Sequence, residues 1–556
     1  MKRPSVKDIS QLAKDTLFSI NILSPEQSGF ASRKTGDQSS CKSEQSLAAA
    51  EKLDSSNRYL RWNLLWFAFF CVFFIPLPFW LYPLSCLGGY IASCVVTIWL
   101  CTALLICGLN ASLIMRKCYR ARDERSLAQY QPQSAAALDG SSPLVHMVLM
   151  CAYKEPLEVL VATLDSLKQQ TVAKHLFVVV ALEEKTPDVT AKSLHLISRY
   201  ASDFLHLMVT VHPSGVPGEL PGKSSNSNYG ARQGVEQMLE MGIHDFRYCT
   251  ATTCDSDNIF PPKYFEYLGY DFLRRENRYE VVWQAPLFYN YNLDQRPFFV
   301  RVTGIFRAFF MMGILIPQDI NTMSVFSLSL HLLQNQDFFI HPAYQMDDII
   351  CTLQRMVAVH KRVRIKLTPY PVISGPTSGV TYKQELIEWA RQGRRWTIGA
   401  AEVFHYFCIK WSSFDNFSGF SYGVRFTHYY GFIICGMSLY NTTSLIASAI
   451  FNGTGICNPA DYLIHEYFVF LPLVGVLVSY LVYLWAFVLD RLGTRLLNVK
   501  EKIHFVRNFL HWLSAPLVLL AYSLVEYYAI TEVAVRGKAV CKHGASKKDG
   551  LAVQKF

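Results

Sequence analysis

Two long stretches without a single charged side chain constrain this sequence most. Trp62 to Tyr82 is dominated by Phe, Leu and Trp, and Leu87 to Met115 is equally uncharged. Each is long enough to cross a hydrocarbon core, which takes about 20 apolar residues as a helix. Pro83 to Gly89 is the turn between them. Lys52, Arg58 and Arg61 precede the first run, and Arg116, Lys117, Arg120, Arg122 and Arg125 follow the second. Basic residues stay on the cytosolic side. The N-terminal tail and the chain after 116 are therefore expected in the cytosol.

More apolar segments follow. Tyr429–Phe451 and Tyr467–Leu489 read as spans, and Asn508–Val525 as a shorter third that ends at Glu526. The loop after Leu489 carries Arg491, Arg495, Lys500, Lys502 and Arg507 and reads as cytosolic. The segment near 452–463 has Asp461 as its one charge and reads as external. Five spans would leave the tail 531–556 outside, yet its Arg and Lys residues pull it to the cytosol. Either the last apolar segment is re-entrant or the span count differs. Phe298–Pro317 and Phe404–Tyr422 read as interfacial helices.

Composition agrees with a multi-pass membrane protein. Of 556 residues, 51% are hydrophobic and only 17% charged, so the formal net charge of +10 reflects basic flanks of spans. The basic runs lack the interleaved aromatics suited to bases, so no nucleic-acid partner is expected. The tail lysines suit anionic lipid headgroups. The 15 cysteines include no CxxC pair and many sit in apolar runs, so they read as small buried hydrophobes rather than a disulfide framework or zinc site.

Between the membrane segments, residues 143–410 read as a soluble α/β domain. Val145–Cys151 is a short apolar strand, Pro156–Gln170 has helical periodicity, Leu176–Leu182 is a second buried strand, and Phe246–Thr253 leads into a third. This alternation predicts a parallel sheet with ligands at the carboxyl ends of its strands. The expected layout is a flexible tail 1–58, two transmembrane helices 59–116, a linker 117–142, the domain 143–410, interfacial helices with about three transmembrane segments 411–530, and a basic tail 531–556.

Three motifs in that domain carry chemistry. Asp255-Ser256-Asp257 sets two carboxylates just past a buried strand, where they can converge on Mg²⁺ or Mn²⁺ with phosphate oxygens completing the shell. Alone, an ordinary solvated turn accounts for it as well. Gln392-Gly393-Arg394-Arg395-Trp396 offers two guanidiniums for a diphosphate and an indole to stack on a sugar or base. A basic helix at a membrane surface would look similar. Asp347-Asp348 opens an apolar helical stretch and supplies a carboxylate that could accept a hydroxyl proton, although helix capping explains it too.

Taken in order, with spans on both sides, these motifs resemble the processive branch of glycosyltransferase family 2, which includes cellulose, chitin and hyaluronan synthases. The resemblance implies a GT-A-type, Rossmann-like α/β catalytic domain joined to an all-α transmembrane region. Tyr153 and Glu155 match the family's first-strand motif near the nucleotide, with Lys154 where Asn is usual. Lys223 and Asn226 match residues near the nucleotide and diphosphate. Asp255 and Asp257 match the metal motif, Asp348 beside Asp347 the general base, and Gln392, Arg395 and Trp396 the QxxRW group over the diphosphate and acceptor. Gln284 is a looser match for the acceptor cleft. Glu183-Glu184 stands where the family has Asp-Asp, so Glu183 would contact the base with an extra methylene.

The resemblance implies an inverting hexosyltransferase in the plasma membrane or Golgi, its catalytic domain in the cytosol. It would use a UDP-sugar, elongate a polysaccharide and pass it through the spans. A lipid acceptor such as ceramide or polyprenyl phosphate is the alternative. A transporter is disfavoured because charged groups cluster in the soluble domain and not in the spans.

Overall fold

The computed structural model describes residues 56–122, 144–289, 293, 296–333, 339–376, 381–457, 471–499 and 504–541. Residues 1–55 of the tail expected over 1–58, most of the linker 117–142, most of the external segment near 452–463 and residues 542–556 of the basic tail lie outside the described residues.

The first described helices are a bent pair, α1 (Leu60–Phe74) and α2 (Leu77–Leu84), turned by 41°. Pro76 lies at the break, where it can donate no backbone hydrogen bond. α3 (Cys86–Arg122) returns.

The α/β domain follows. β1 (Val145–Ala152) and β2 (Leu176–Glu183) are almost wholly buried, as strands covered on both faces must be. Crossover helices α4 (Leu157–Lys168), α5 (Val189–Tyr200) and α6 (Lys223–Glu240) connect β1, β2, β3 (His206–His212) and β4 (Cys249–Asp255). After α7 (Tyr264–Arg274) come β5 (Val281–Gln284), β6 (Leu287–Phe288), α8 (Phe298–Leu315), β7 (Phe326–Ser329), α9 (Asp347–Val359), β8 (Arg364–Leu367), β9 (Val372–Ile373) and α10 (Tyr382–Ile409). The main sheet runs β3-β2-β1-β4-β7-β5-β8. β3, β2, β1 and β4 are parallel, and β7 pairs antiparallel with both neighbours. The mixed sheet, flanked by helices and joined to apolar helices that could span a membrane, is the α/β-plus-helical architecture that the sequence implies.

Helices α11 (Asn416–Gly453), α12 (Leu471–Leu496), α13 (Phe505–Leu513) and α14 (Ala515–Arg536) complete the chain. Among the described residues, five helices are long and apolar enough to cross a membrane, or six if the bent pair counts as one. Residues 404–422 do not form one interfacial helix. α10 ends at Ile409, and Asp415 caps α11 by accepting from the Ser418 N–H at 3.0 Å. Nor does α8 lie on a surface. It is apolar on nearly every side and packs inside the bundle, with Gly313 so close to Cys107 of α3 that no Cβ would fit.

Both ends of the bundle are tied. At one end, Cys86 and Cys457 form a disulfide across 371 residues, joining the α2–α3 turn to the end of α11. The sequence reading, which left every cysteine reduced, is corrected here. At the other end the bundle meets the catalytic domain. Tyr370 Oη donates to Ala121 O at 3.0 Å, and Lys538 Nζ pairs with Glu402 of α10 at 2.9 Å. The Lys538 N–H donates to Asn57 Oδ1 at 2.7 Å, next to the start of α1.

The last two helices form a hairpin within the bundle. Arg507 donates to Arg296 O at 2.8 Å near the start of α13. At its end, Leu513 O accepts from Tyr480 Oη at 3.2 Å. Tyr480 lies about 24 Å along α12 from Leu496, at 1.5 Å per residue. α13 therefore enters the bundle from the catalytic-domain end, and α14 returns to that same end.

Candidate functional site

Nearly every motif singled out in the sequence meets at the carboxyl ends of β1, β2 and β4, in one pocket. Tyr153 and Glu155 leave β1, and the Tyr153 N–H donates to Glu155 Oε2 at 2.7 Å. Lys154 is exposed and lies over the Tyr153 ring, away from the pocket lining. Glu183 ends β2 and lines the pocket, where burial raises its carboxyl above the usual range against the pull of His212. Glu184 turns outward and accepts from the Ser214 N–H and Oγ. Of the two glutamates, only Glu183 can meet a ligand here.

Asn226 is buried on α6. Its Nδ2 donates to Ala181 O of β2 at 2.8 Å, while its Oδ1 has no hydrogen-bond partner among the described residues. Lys223 starts the same helix. Its Nζ lies 2.9 Å from Asp255 Oδ1 and 3.0 Å from Asp347 Oδ2. Burial alone would lower the lysine's proton affinity, but Asp255 and Asp347 outweigh it and hold the ammonium charged. Asp257 is fixed from another loop: its Oδ2 accepts the Gly375 N–H at 3.0 Å.

Asp347 and Asp348 begin α9, where the helix N-terminus favours negative charge. Both are buried. Asp348 Oδ1 accepts from the Ile349 N–H at 2.9 Å, and Thr322 Oγ1 donates to its carbonyl at the same distance. Burial first, and then the Asp347 charge, push the Asp348 carboxyl well above the ordinary carboxylate range; Lys223 and Arg307 offset this only in part.

Gln392, Arg395 and Trp396 reach the pocket from α10. Arg395 Nε is buried without a hydrogen-bond partner among the described residues, so the guanidinium can still take an anion. Arg394 cannot share that task as the motif suggested. Its Nε donates to Glu532 Oε2 at 2.6 Å, pinning α10 to α14. Gln284 also stands apart. Its Oε1 accepts from the Met323 N–H at 2.7 Å within the core, and it lines neither cavity.

Several lining residues escaped the sequence reading. Arg307, in the apolar run of α8, lies 3.3 Å over the Trp396 ring and 5.2 Å from the Tyr289 ring centroid. Gly375 and Ser374 follow β9. A second cavity opens beyond Arg307, Met346, Asp348 and Trp396, which line both spaces. No sequence signal marks these residues, because only the packing of α8 on α10 creates the doorway.

The donor set suits a hard divalent cation completed by phosphate. Asp255 offers a partly exposed carboxylate and Asp257 a second, both oxygen ligands. Among the described residues no group of three or more His, Cys, Asp or Glu could hold an ion unaided. Mg²⁺ commonly uses one or two carboxylates with substrate phosphates and water.

No protein-family model and no curated protein matches the chain. Among solved structures, a mannosyltransferase from Pyrobaculum calidifontis in complex with GDP-Man and Mn²⁺ aligns over 71% of this chain and 98% of its own, at 13% identity and a TM-score of 0.39. S. aureus TarS aligns over 61% and 54% of the two chains, at 12% identity and a TM-score of 0.29. Its fragment 1–349 in complex with UDP covers 55% and 83%, at 14% identity and a TM-score of 0.27. Nothing about activity follows from superpositions this loose.

Proposed function

We propose that this chain is an inverting glycosyltransferase, a hexosyltransferase that moves sugar from a UDP-sugar to an acceptor hydroxyl at a membrane. One observation carries the reading. A single pocket holds a buried carboxylate of raised proton affinity, Asp348, beside the paired Asp255 and Asp257 and the cations Lys223, Arg307 and Arg395.

In this reaction the acceptor oxygen forms a bond to the anomeric carbon. The bond from that carbon to the β-phosphate oxygen breaks, and its electron pair leaves on the nucleoside diphosphate. The hydroxyl proton passes to Asp348. Mg²⁺ or Mn²⁺ on Asp255 and Asp257 would neutralise charge on the leaving diphosphate. Arg395 supplies a fixed positive charge on the same group, and Lys223 keeps Asp255 and Asp347 in register. Glu183, Asn226, Tyr153 and Glu155 border the nucleoside end, and Gln392 with Trp396 borders the sugar and acceptor.

The family resemblance places a growing polysaccharide at the acceptor end and its export through the helices. The apolar wall of the second cavity favours a lipid acceptor instead. The transfer itself is tested by release of nucleoside diphosphate from a panel of UDP-sugars and GDP-mannose with Mg²⁺ or Mn²⁺. Asp348→Asn should bind donor and lose turnover by about 10²–10⁴-fold, the usual size of a general-base contribution. Normal turnover in that variant would remove Asp348 from the role.

A further inference from the structure

The second cavity begins at the proposed base and runs between α8, α11 and α14. Asp348, Arg307 and Trp396 stand at its doorway. Beyond them the wall is mostly apolar, with Phe306, Phe310, Ile433, Ile434, Met437 and Leu519 prominent, and Thr303, Asn321, Thr397, Ser438 and three tyrosines interrupt it. A chain of sugars carries hydroxyls all along its length, more than these few polar groups could satisfy. An acyl or alkyl chain loses nothing and gains the burial of its own surface.

One carboxyl lies in this wall beyond the doorway. Glu526 lies in α14, 2% exposed, and lines the cavity. Its Oε2 is buried with no hydrogen-bond partner among the described residues. A carboxyl inside an apolar bundle is costly, and such groups generally mark a ligand site. The sequence reading used Glu526 only as the end of a span. The helix instead continues ten residues to Arg536, so the carboxyl sits within it.

We propose that this cavity binds the acceptor, and that the acceptor is a membrane amphiphile with two polar features. Its terminal hydroxyl meets Asp348 at the doorway, and a hydrogen-bond donor in its neck, a second hydroxyl or an amide N–H, meets Glu526. The hydrocarbon fills the space between α8, α11 and α14. Glu526 is a positioning residue. It touches the acceptor away from the reacting atoms and sets which lipid presents its hydroxyl correctly. This inference rests on the glycosyl-transfer reading and names the acceptor class for the same site.

The test uses the full chain in detergent micelles with radiolabelled UDP-hexoses. Three lipids of matched chain length serve as acceptors: an N-acyl amino alcohol, a diacylglycerol and a simple primary alcohol. Label should enter the organic phase as a product bearing one sugar, with the N-acyl amino alcohol used best. Glu526→Leu should raise KM for that lipid about tenfold, as loss of one hydrogen bond to a buried group does, with little change in kcat. Its KM for the simple alcohol should not rise. Glu526→Gln should restore the preference, since its amide oxygen still accepts. Ile434→Trp, which fills the cavity, should suppress transfer to all three lipids. A water-soluble polymer lengthening with time would overturn the proposal while leaving glycosyl transfer standing. So would an equal KM change for all three lipids in Glu526→Leu. Absence of both donor binding and nucleoside diphosphate release from the wild-type chain would instead sink the transferase reading itself.

Discussion

Asp257 is held by a glycine. Its Oδ2 accepts the Gly375 N–H, and a Cβ on residue 375 would overlap the same carboxylate. Gly375→Ala should therefore move Asp257 while leaving Asp255 in place. The expected result is weaker metal activation, with the Mg²⁺ or Mn²⁺ concentration for half-maximal rate raised about tenfold or more, the scale of one lost charge-assisted hydrogen bond. A metal titration of nucleoside diphosphate release measures it. An unchanged titration would mean that Asp257 does not contribute to metal binding.

Lys223 is the structural counterpart. It is the shared cation of Asp255 and Asp347, and its side chain and that of Asp347 are largely buried. Replacing it with Met leaves two carboxylates facing one another across a desolvated gap. Breaking a buried pair by deleting one partner costs about 3–5 kcal/mol. Lys223→Met should show a clear fall in thermal midpoint, and Lys223→Met with Asp347→Asn should recover part of it. Equal stability of the single and double variants would refute the coupling.

Asp348 gives a pH signature. Its folded-state proton affinity is raised by burial and by Asp347. A base must be deprotonated, so kcat/KM should climb with pH to a midpoint above the ordinary carboxylate range. Asp347→Asn removes the like charge and should shift that limb to lower pH. The same shift bears on stability. A carboxyl that binds its proton more tightly when folded helps the fold below its unfolded pKa and loses that help as pH rises through the folded value. At neutral pH, Asp348→Asn should thus raise the thermal midpoint while abolishing turnover.

These residues also show where the sequence could be read and where it could not. Asp255, Asp257 and Asp348 stood out at a strand end and a helix start, where ligand-facing groups gather in such a sheet, Arg395 and Trp396 stood out as one motif, and Lys223 came from the family resemblance. Glu183 was legible as a position, but its separation from Glu184 needed the Ser214 contacts. Arg394 looked equivalent to Arg395, since only the packing of α10 on α14 decides which guanidinium meets Glu532. Arg307 and Glu526 were hidden for the opposite reason. Glu526 interrupts an apolar run, Arg307 is one of two arginines in another, and the place of each is set by neighbours far away in sequence. Cys86 and Cys457 lie too far apart for spacing to pair them.

The course of α13 and α14 bears on the charge conflict of the C-terminal tail, and we propose that the two helices form a re-entrant hairpin. α13 enters beside Arg296 and turns at Ser514 near the depth of Tyr480. α14 then returns to Lys538, which bonds Asn57 and Glu402. Such a hairpin would put Lys538 on the same side as the α/β domain, where the positive-inside rule wants basic residues. The disulfide Cys86–Cys457 closes the opposite end, which fits an oxidising compartment there. In sealed vesicles, a tag after Phe556 and an epitope in the catalytic domain should be digested or protected together. A membrane-impermeant reductant should reach Cys86–Cys457 only from the other side. A tag exposed on the disulfide's side would mean that α14 crosses the membrane and that the hairpin reading is wrong.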